Sequence, residues 1–255
     1  MDITSNTIAV VAGGASGLGA AAAEGLAEAG AKVVLLDMNA DAGAATAKDL
    51  DGLFVQTDVS DAASVAAAVA QIADAFGQLH IAVNCAGIAP AAKTVSKEAA
   101  HDPALFAKVI SINLIGTYNV ASQCAAIMSR NDPLDDDGTR GVVINTASVA
   151  AYEGQVGQAA YAASKAGVAG LTLPMARDMA GLGIRVCAIA PGLFKTPMLE
   201  GLPKEVQDSL GAQVPFPSRL GHATEYAKLV RHIVENSMLN GDVIRLDGAI
   251  RMAPR

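Results

Sequence analysis

Three side chains in the stretch "SVAAYEGQVGQAAYAASK" carry chemistry that an Ala-rich helix does not need for packing. Ser148 opens it, Tyr161 follows, and Lys165 stands four residues beyond the tyrosine, one helical turn away on the same face. Of the four tyrosines in the chain, only Tyr161 has a lysine at that spacing. A free phenol has a pKa of about 10 and is a poor base near neutrality. A neighbouring ammonium stabilises phenolate and lowers that value, so the pair can take up or return an alcohol proton. Ser148, at the end of an expected strand, can hydrogen-bond the same oxygen, although a strand-end serine can equally bond its own backbone. Hydride transfer between a carbinol carbon and a nicotinamide needs this kind of proton handling.

A second group of residues suits the dinucleotide that such a reaction requires. "AGGASGLG", from Ala12 to Gly19, joins an apolar strand to a helix. Gly13, Gly17 and Gly19 allow a tight turn and close approach of a pyrophosphate to backbone amides at a helix N-terminus. The spacing is G-x-x-x-G-x-G, and taken alone it could be only a turn. The next strand, "VVLLD", ends in Asp37, twenty residues after Gly17. A carboxylate there accepts hydrogen bonds from ribose hydroxyls and repels a 2′-phosphate, and no Lys or Arg adjoins it, which favours NAD over NADP. Asp58 and Val59 end the third strand. "NCAG", with Cys85, Ala86 and Gly87, ends the fourth, and both places lie on the edge where an adenine would be flanked.

The elements that must position these residues alternate along the chain. Seven short apolar runs, "IAVVAGG", "KVVLLD", "LFVQTDV", "LHIAVNCAG", "GVVINTAS", "IRVCAIAPG" and "DVIRLDG", are separated by Ala-rich helical patterns. Continuous apolar strands between helices predict an α/β protein: a doubly wound Rossmann fold with a seven-stranded parallel sheet and helices on both faces. The spacing predicts helices over 16–29, 40–50, 62–76, 103–128, 159–180 and 224–236, with Pro174 bending or breaking the fifth. Residues 88–102, 129–141 and 193–217 read as loops, the first and third at strand carboxyl ends where such sheets bind ligands. The third mixes Leu, Met and Phe with polar positions, as a lid over a flexible apolar substrate would. No repeat or composition break divides the chain, so residues 1–255 are expected to form one domain.

Composition narrows the function classes. With 52% hydrophobic and 17% charged residues the chain can bury a large core, and its net charge of −7 argues against a nucleic-acid binder. Cys85, Cys124 and Cys187 are far apart in apolar runs and read as reduced thiols, and the four histidines show no metal-ligand spacing. The start "MDITSNT" has neither a basic segment nor a long apolar core, and the apolar runs are broken before the ~20 residues of a membrane span. A soluble cytoplasmic protein acting on a small molecule, without metal or membrane, is the expectation.

Jointly these motifs resemble the short-chain dehydrogenase/reductase family over nearly the whole chain. The likeness rests on Gly13, Gly17 and Gly19, on "NCAG", on the tetrad Asn113, Ser148, Tyr161 and Lys165, and on the turn Pro191-Gly192 followed by Thr196. The resemblance implies that Tyr161 is the acid/base and that Lys165 binds the nicotinamide ribose and lowers the phenol pKa. It also implies that Ser148 orients the substrate oxygen, that Asn113 holds a water linking Lys165 to solvent, and that Thr196 meets the nicotinamide amide. Two positions depart from the family pattern: Ala12 stands where a Thr is usual, and Cys85 where a second Asn is usual. Neither touches the implied proton transfer.

A narrower likeness is to the members of that family that oxidise L-3-hydroxyacyl-CoA esters to 3-oxoacyl-CoA with NAD as homotetramers, 2-methyl-branched esters among them. It is carried by "NCAGIA", "IAPGLFKTP", "QVPFPSRLG" and "NGDVIRLDGAIRM". By that likeness Ser16, Leu18, Asp37, Asp58, Val59, Cys85, Phe194 and Thr196 contact the cofactor. Gln155 lies between Ser148 and Tyr161 in the sequence, in place to face the substrate. Lys93, Lys97, Lys195 and Lys204 lie in the two ligand-edge loops, either against CoA phosphates or simply solvated. Two other readings stay open: a secondary-alcohol or hydroxysteroid dehydrogenase, and a scaffold subunit whose dehydrogenase site is incidental.

Overall fold

The structure, a computed structural model, describes residues 1–201 and 203–254; Leu202 and Arg255, within the expected lid and domain spans, lie outside the described residues. The chain alternates strand and helix through its first third: β1 (Ile8–Ala12), α1 (Gly17–Glu28), β2 (Lys32–Asp37), α2 (Ala40–Asp49), β3 (Leu53–Gln56), α3 (Ala62–Phe76) and β4 (Ile81–Asn84). The hairpin β5 (Val95–Ser96) and β6 (Ala99–Ala100) follows, then α4 (Pro103–Ile110), a single π turn (Ser111–Ile115) and α5 (Gly116–Met128). The last part holds β7 (Gly141–Thr146), α6 (Ala150–Glu153), α7 (Ala159–Ala180), β8 (Ile184–Pro191), α8 (Pro197–Glu200), α9 (Lys204–Gly211), α10 (Ala223–Glu235) and β9 (Val243–Leu246).

Strands pair in parallel in the order β3-β2-β1-β4-β7-β8-β9, the seven-stranded doubly wound sheet that the sequence predicts. Alternate residues of each strand enter opposite layers, as the period-two geometry requires. Val10, Val34 and Leu36 pack with α3, α5 and α7, whereas Ala9, Val11, Val33 and Leu35 pack with α1 and α10. Each fully buried Leu or Val contributes about 1.5–3 kcal/mol, so these two layers dominate the stability of the sheet.

Local chemistry explains the helix ends. Asn39, Asp61 and Asp102 each accept a backbone N–H of the following first turn, and Gly77 ends α3 in the left-handed region. The helix around Pro174 is continuous from Ala159 to Ala180, so the proline does not break it; Gly170, whose carbonyl loses its helical donor, is exposed. The segment 193–217, expected to be a loop, carries the short helices α8 and α9. Pro103 to Met128 is one helix interrupted only by the π turn, and it has the length and apolarity of a membrane span, which the reading of short apolar runs did not register. In this fold Val120, Cys124 and Met128 on that helix pack with Ala82 and Val143 of the sheet.

Candidate active site

The carboxyl ends of β1 to β4 open on a cleft of about 450 Å³. Gly13, Ser16, Gly17, Leu18 and Gly19 line one wall, and Asp37, Asp58 and Val59 close the end beyond β2 and β3. Cys85, Ala86, Gly87 and Ile88 line the stretch after β4, and Thr196 and Pro197 line the cleft beside Gly17. Two glycines are fixed by close approach. A side chain on Gly13, at φ +74°, would lie 2.5 Å from the Ala86 nitrogen, and one on Gly19 would collide with the Gly13 carbonyl oxygen.

Asp37 is held against this loop. Its Oδ2 accepts the Ala15 N–H at 3.1 Å and its Oδ1 accepts the Asn39 N–H at 3.0 Å. Asp58 is likewise fixed, accepting the backbone N–H and hydroxyl of Ser60 at 2.9 and 2.6 Å. No Lys or Arg occurs among the described residues that line the cleft. A nicotinamide dinucleotide fits these residues: Gly13, Gly17 and Gly19 leave the backbone of the wall open to a pyrophosphate, and a carboxylate stands at the ribose end. A side chain on Gly87 would lie 3.1 Å from Asn113 Oδ1 and 3.7 Å from Lys165 Nζ, so its absence keeps the way to the lysine open.

The reacting groups meet beyond that opening. Ser148, just past β7, receives the Ala150 N–H at 3.1 Å, and its hydroxyl stands beside the phenol of Tyr161. Lys165 Nζ lies 5.8 Å from the Tyr161 ring centroid and donates to the Thr146 carbonyl at 2.7 Å. Burial brings the Lys165 ammonium down to about 8, opposed by the nearby Cys85. Burial also pushes the Tyr161 phenol up, and the neighbouring Ser148 hydroxyl works the other way. A positive group beside the phenol must therefore do more than offset desolvation before phenolate is accessible.

Asn113 sits in the π turn, a departure from α geometry that often marks functional positions. Its Oδ1 accepts the Ile88 N–H at 2.8 Å, while its Nδ2 donates to the Ile88 carbonyl at 2.9 Å and to Ser164 Oγ at 3.0 Å. The Ser164 hydroxyl donates in turn to the Tyr161 carbonyl at 2.7 Å. Asn113 thus ties the loop after β4 to the helix that carries the tyrosine and lysine.

Other residues singled out from the sequence lie around this centre. Pro191, at the end of β8, accepts the Val149 N–H at 3.1 Å and supports the turn of Ser148. Phe194 is buried, its ring packed against Gly221, and it lines a small adjoining cavity, not the dinucleotide cleft. Gln155 donates to the Ala253 carbonyl at 3.0 Å and lines a separate groove with Lys93 and Thr94. Lys195 and Lys204 line another groove beside His222. Three residues not singled out from the sequence tie into this centre: Thr146 offers the carbonyl that receives Lys165, Ser164 bonds Asn113, and Tyr226 bonds the Thr146 hydroxyl. Among the described residues, no cluster suits a metal ion.

Fold and site together define a dehydrogenase of the nicotinamide type, and a family model described as short chain dehydrogenase matches residues 7–207. The chain belongs to that family. It is similar to the human 3-hydroxyacyl-CoA dehydrogenase type-2, with 55% identity over 251 residues covering 97% of this chain and 96% of the relative. It is similar also to the protein of that name from Drosophila melanogaster, with 53% identity over 98% of this chain and 99% of the relative. A crystal structure of 3-hydroxyacyl-CoA dehydrogenase type-2 from Mycobacterium avium superposes with a TM-score of 0.93 at 43% identity, covering 98% of both chains.

Proposed function

We propose that this chain is an NAD-dependent 3-hydroxyacyl-CoA dehydrogenase, interconverting L-3-hydroxyacyl-CoA and 3-oxoacyl-CoA. The observation that carries the reading is the convergence of Ser148, Tyr161 and Lys165 beyond Gly87, next to a cleft lined by the glycine loop and holding Asp37. The relatives that match this chain in sequence along nearly their whole length supply the substrate class.

Bound nicotinamide supplies the hydride acceptor or donor. Tyr161 Oη takes the proton of the substrate hydroxyl during oxidation and returns it during reduction. Ser148 holds the same oxygen, so the carbinol carbon is presented in one orientation. Lys165, fixed by Thr146, keeps a positive charge beside the phenol and favours its ionised form. Asp37 selects an unphosphorylated adenosine ribose, which is the argument for NAD.

Lys195, Lys204 and His222 line a groove of about 590 Å³ next to Thr196, which supports a place for the CoA phosphates. The same reading includes a homotetramer in the cytoplasm. Exposed Ile115 in the π turn, Tyr118 on α5 and Leu173 on α7 support assembly, and the three unpaired cysteines suit a reducing compartment. The test follows NADH absorbance with purified protein and acetoacetyl-CoA, with NADPH and a simple ketone in parallel. Rapid NADH loss with the thioester is the expected result; loss with the ketone alone moves the chain to a secondary-alcohol dehydrogenase.

A further inference from the structure

Tyr226 belongs to α10, in the layer opposite α7, and its side chain is fully buried. Its hydroxyl reaches the gap between the ends of β4 and β7. There it lies 2.7 Å from Thr146 Oγ1 and 3.5 Å from Cys85 Sγ, and the Thr146 hydroxyl donates to the same sulfur at 3.5 Å. The short bond joins two hydroxyls, either of which can donate, and it ties the Tyr226 oxygen to the Thr146 side chain. Thr146 is therefore held from one layer by Tyr226 while its carbonyl receives the Lys165 ammonium from the other, at 2.7 Å.

We propose that Tyr226 is a positioning residue for the reaction: by fixing Thr146 it sets the carbonyl that orients Lys165 beside Tyr161. The inference rests on the dehydrogenase reading of the site. Packing alone does not call for the hydroxyl, because a phenylalanine would fill the same volume between α10 and the sheet. Burial raises the Tyr226 phenol well above its ordinary value, so the group remains a neutral hydroxyl throughout the working pH range. The ionisable groups that reach the ammonium are Cys85, at the end of β4, and Tyr161, on its own helix. Cys85 is itself held protonated by burial.

The test compares Tyr226→Phe, Thr146→Val and Thr146→Ser with the parent protein, each saturated with oxidised cofactor. The ionisation of Tyr161 is followed by tyrosinate absorbance, taken as the difference from the same protein carrying Tyr161→Phe. Loss of either hydroxyl should raise the Tyr161 midpoint by about one pH unit and lower kcat/KM for alcohol oxidation about tenfold at neutral pH. The Kd for NADH should stay within about twofold, and Thr146→Ser should restore parent values. An unchanged midpoint in Tyr226→Phe and Thr146→Val overturns the proposal. If Tyr226→Phe does not fold, the Thr146 pair decides. If the parent protein turns over neither thioester nor ketone, the dehydrogenase reading fails, while the tyrosinate midpoint still decides the role of Tyr226.

Discussion

The Lys165 ammonium lies 5.8 Å from the centroid of the Tyr161 ring and makes its direct hydrogen bond to the Thr146 carbonyl instead. The lysine therefore acts on the phenol through its field and not through a shared proton. Tyr161 is left as the one group of the pair able to exchange a proton with substrate. Replacing it with Phe removes only the oxygen and should lower kcat by about 10²–10⁴, the range for loss of a positioned acid/base. NADH binding, measured by fluorescence titration, should remain. Turnover at the parent rate in Tyr161→Phe removes the tyrosine from the mechanism.

Asp37 is tied to the glycine loop through Ala15 and to the start of α2 through Asn39, so its carboxylate is held in place at the ribose end. Asp37→Ala removes the acceptor for the ribose hydroxyls together with the negative charge that repels a 2′-phosphate. The ratio of kcat/KM for NADH over NADPH should fall about 10²-fold or more, from weaker use of NADH and better use of NADPH. Steady-state kinetics with both cofactors measure it; an unchanged ratio would place selectivity elsewhere.

Most of the scaffold was legible because apolar runs in a sheet covered on both faces are continuous and Ala-rich helices between them are long. The helices 62–76 and 159–180 end where the spacing placed them. The tetrad was legible for a different reason: Tyr161 and Lys165 are close in sequence, and helical geometry alone brings them together. What escaped depends on contacts distant in sequence. Tyr226 meets Thr146 across 80 residues, and Asn131, with its amide on the Leu79 and Arg140 carbonyls, pins the 129–141 loop from within. The π turn at Asn113 has no local breaker such as Pro or Gly inside it, so its sequence reads as ordinary helix. The ring of Phe194 packs into the core against Gly221, a placement set by a residue distant in sequence and not by any local pattern.

Acid should loosen the end of the lid segment. Arg219 grips Glu225 through two hydrogen bonds of 2.9 and 2.8 Å, and the His222 N–H adds a third at 2.8 Å, so the carboxyl is brought down to about 2. A depressed carboxyl contributes stability that is present above its ordinary value near 4.5 and is lost as pH falls toward 2. Both side chains are more than a third exposed, so solvent screens the pair and the effect on Tm should be at most a few degrees. Glu225→Gln should melt slightly lower than the parent above pH 5 and converge with it near pH 2. Parallel Tm curves across that range would show that the pair does not contribute.

The tail of the chain is laced onto the segment that separates Ser148 from Tyr161. Arg245 holds Glu153 with two bonds of 2.8 and 3.1 Å, and Glu153 also accepts the Met252 N–H at 3.1 Å. Beyond it, the Ala253 carbonyl receives the Gln155 amide at 3.0 Å and the Pro254 carbonyl receives the Val156 N–H at 3.0 Å. None of these groups touches the dinucleotide cleft. Removing residues 252–255 frees one edge of the 153–156 segment while leaving Asp37 and the glycine wall intact. The shortened chain should show a several-fold higher KM for acetoacetyl-CoA and a kcat reduced about three- to tenfold, because small misplacements of positioning segments are costly to rate. Its Kd for NADH should be unchanged. A shift in NADH affinity equal to the loss in kcat/KM would instead show that the tail supports the fold as a whole, and unchanged kinetics would show that the 153–156 segment holds its shape without the tail.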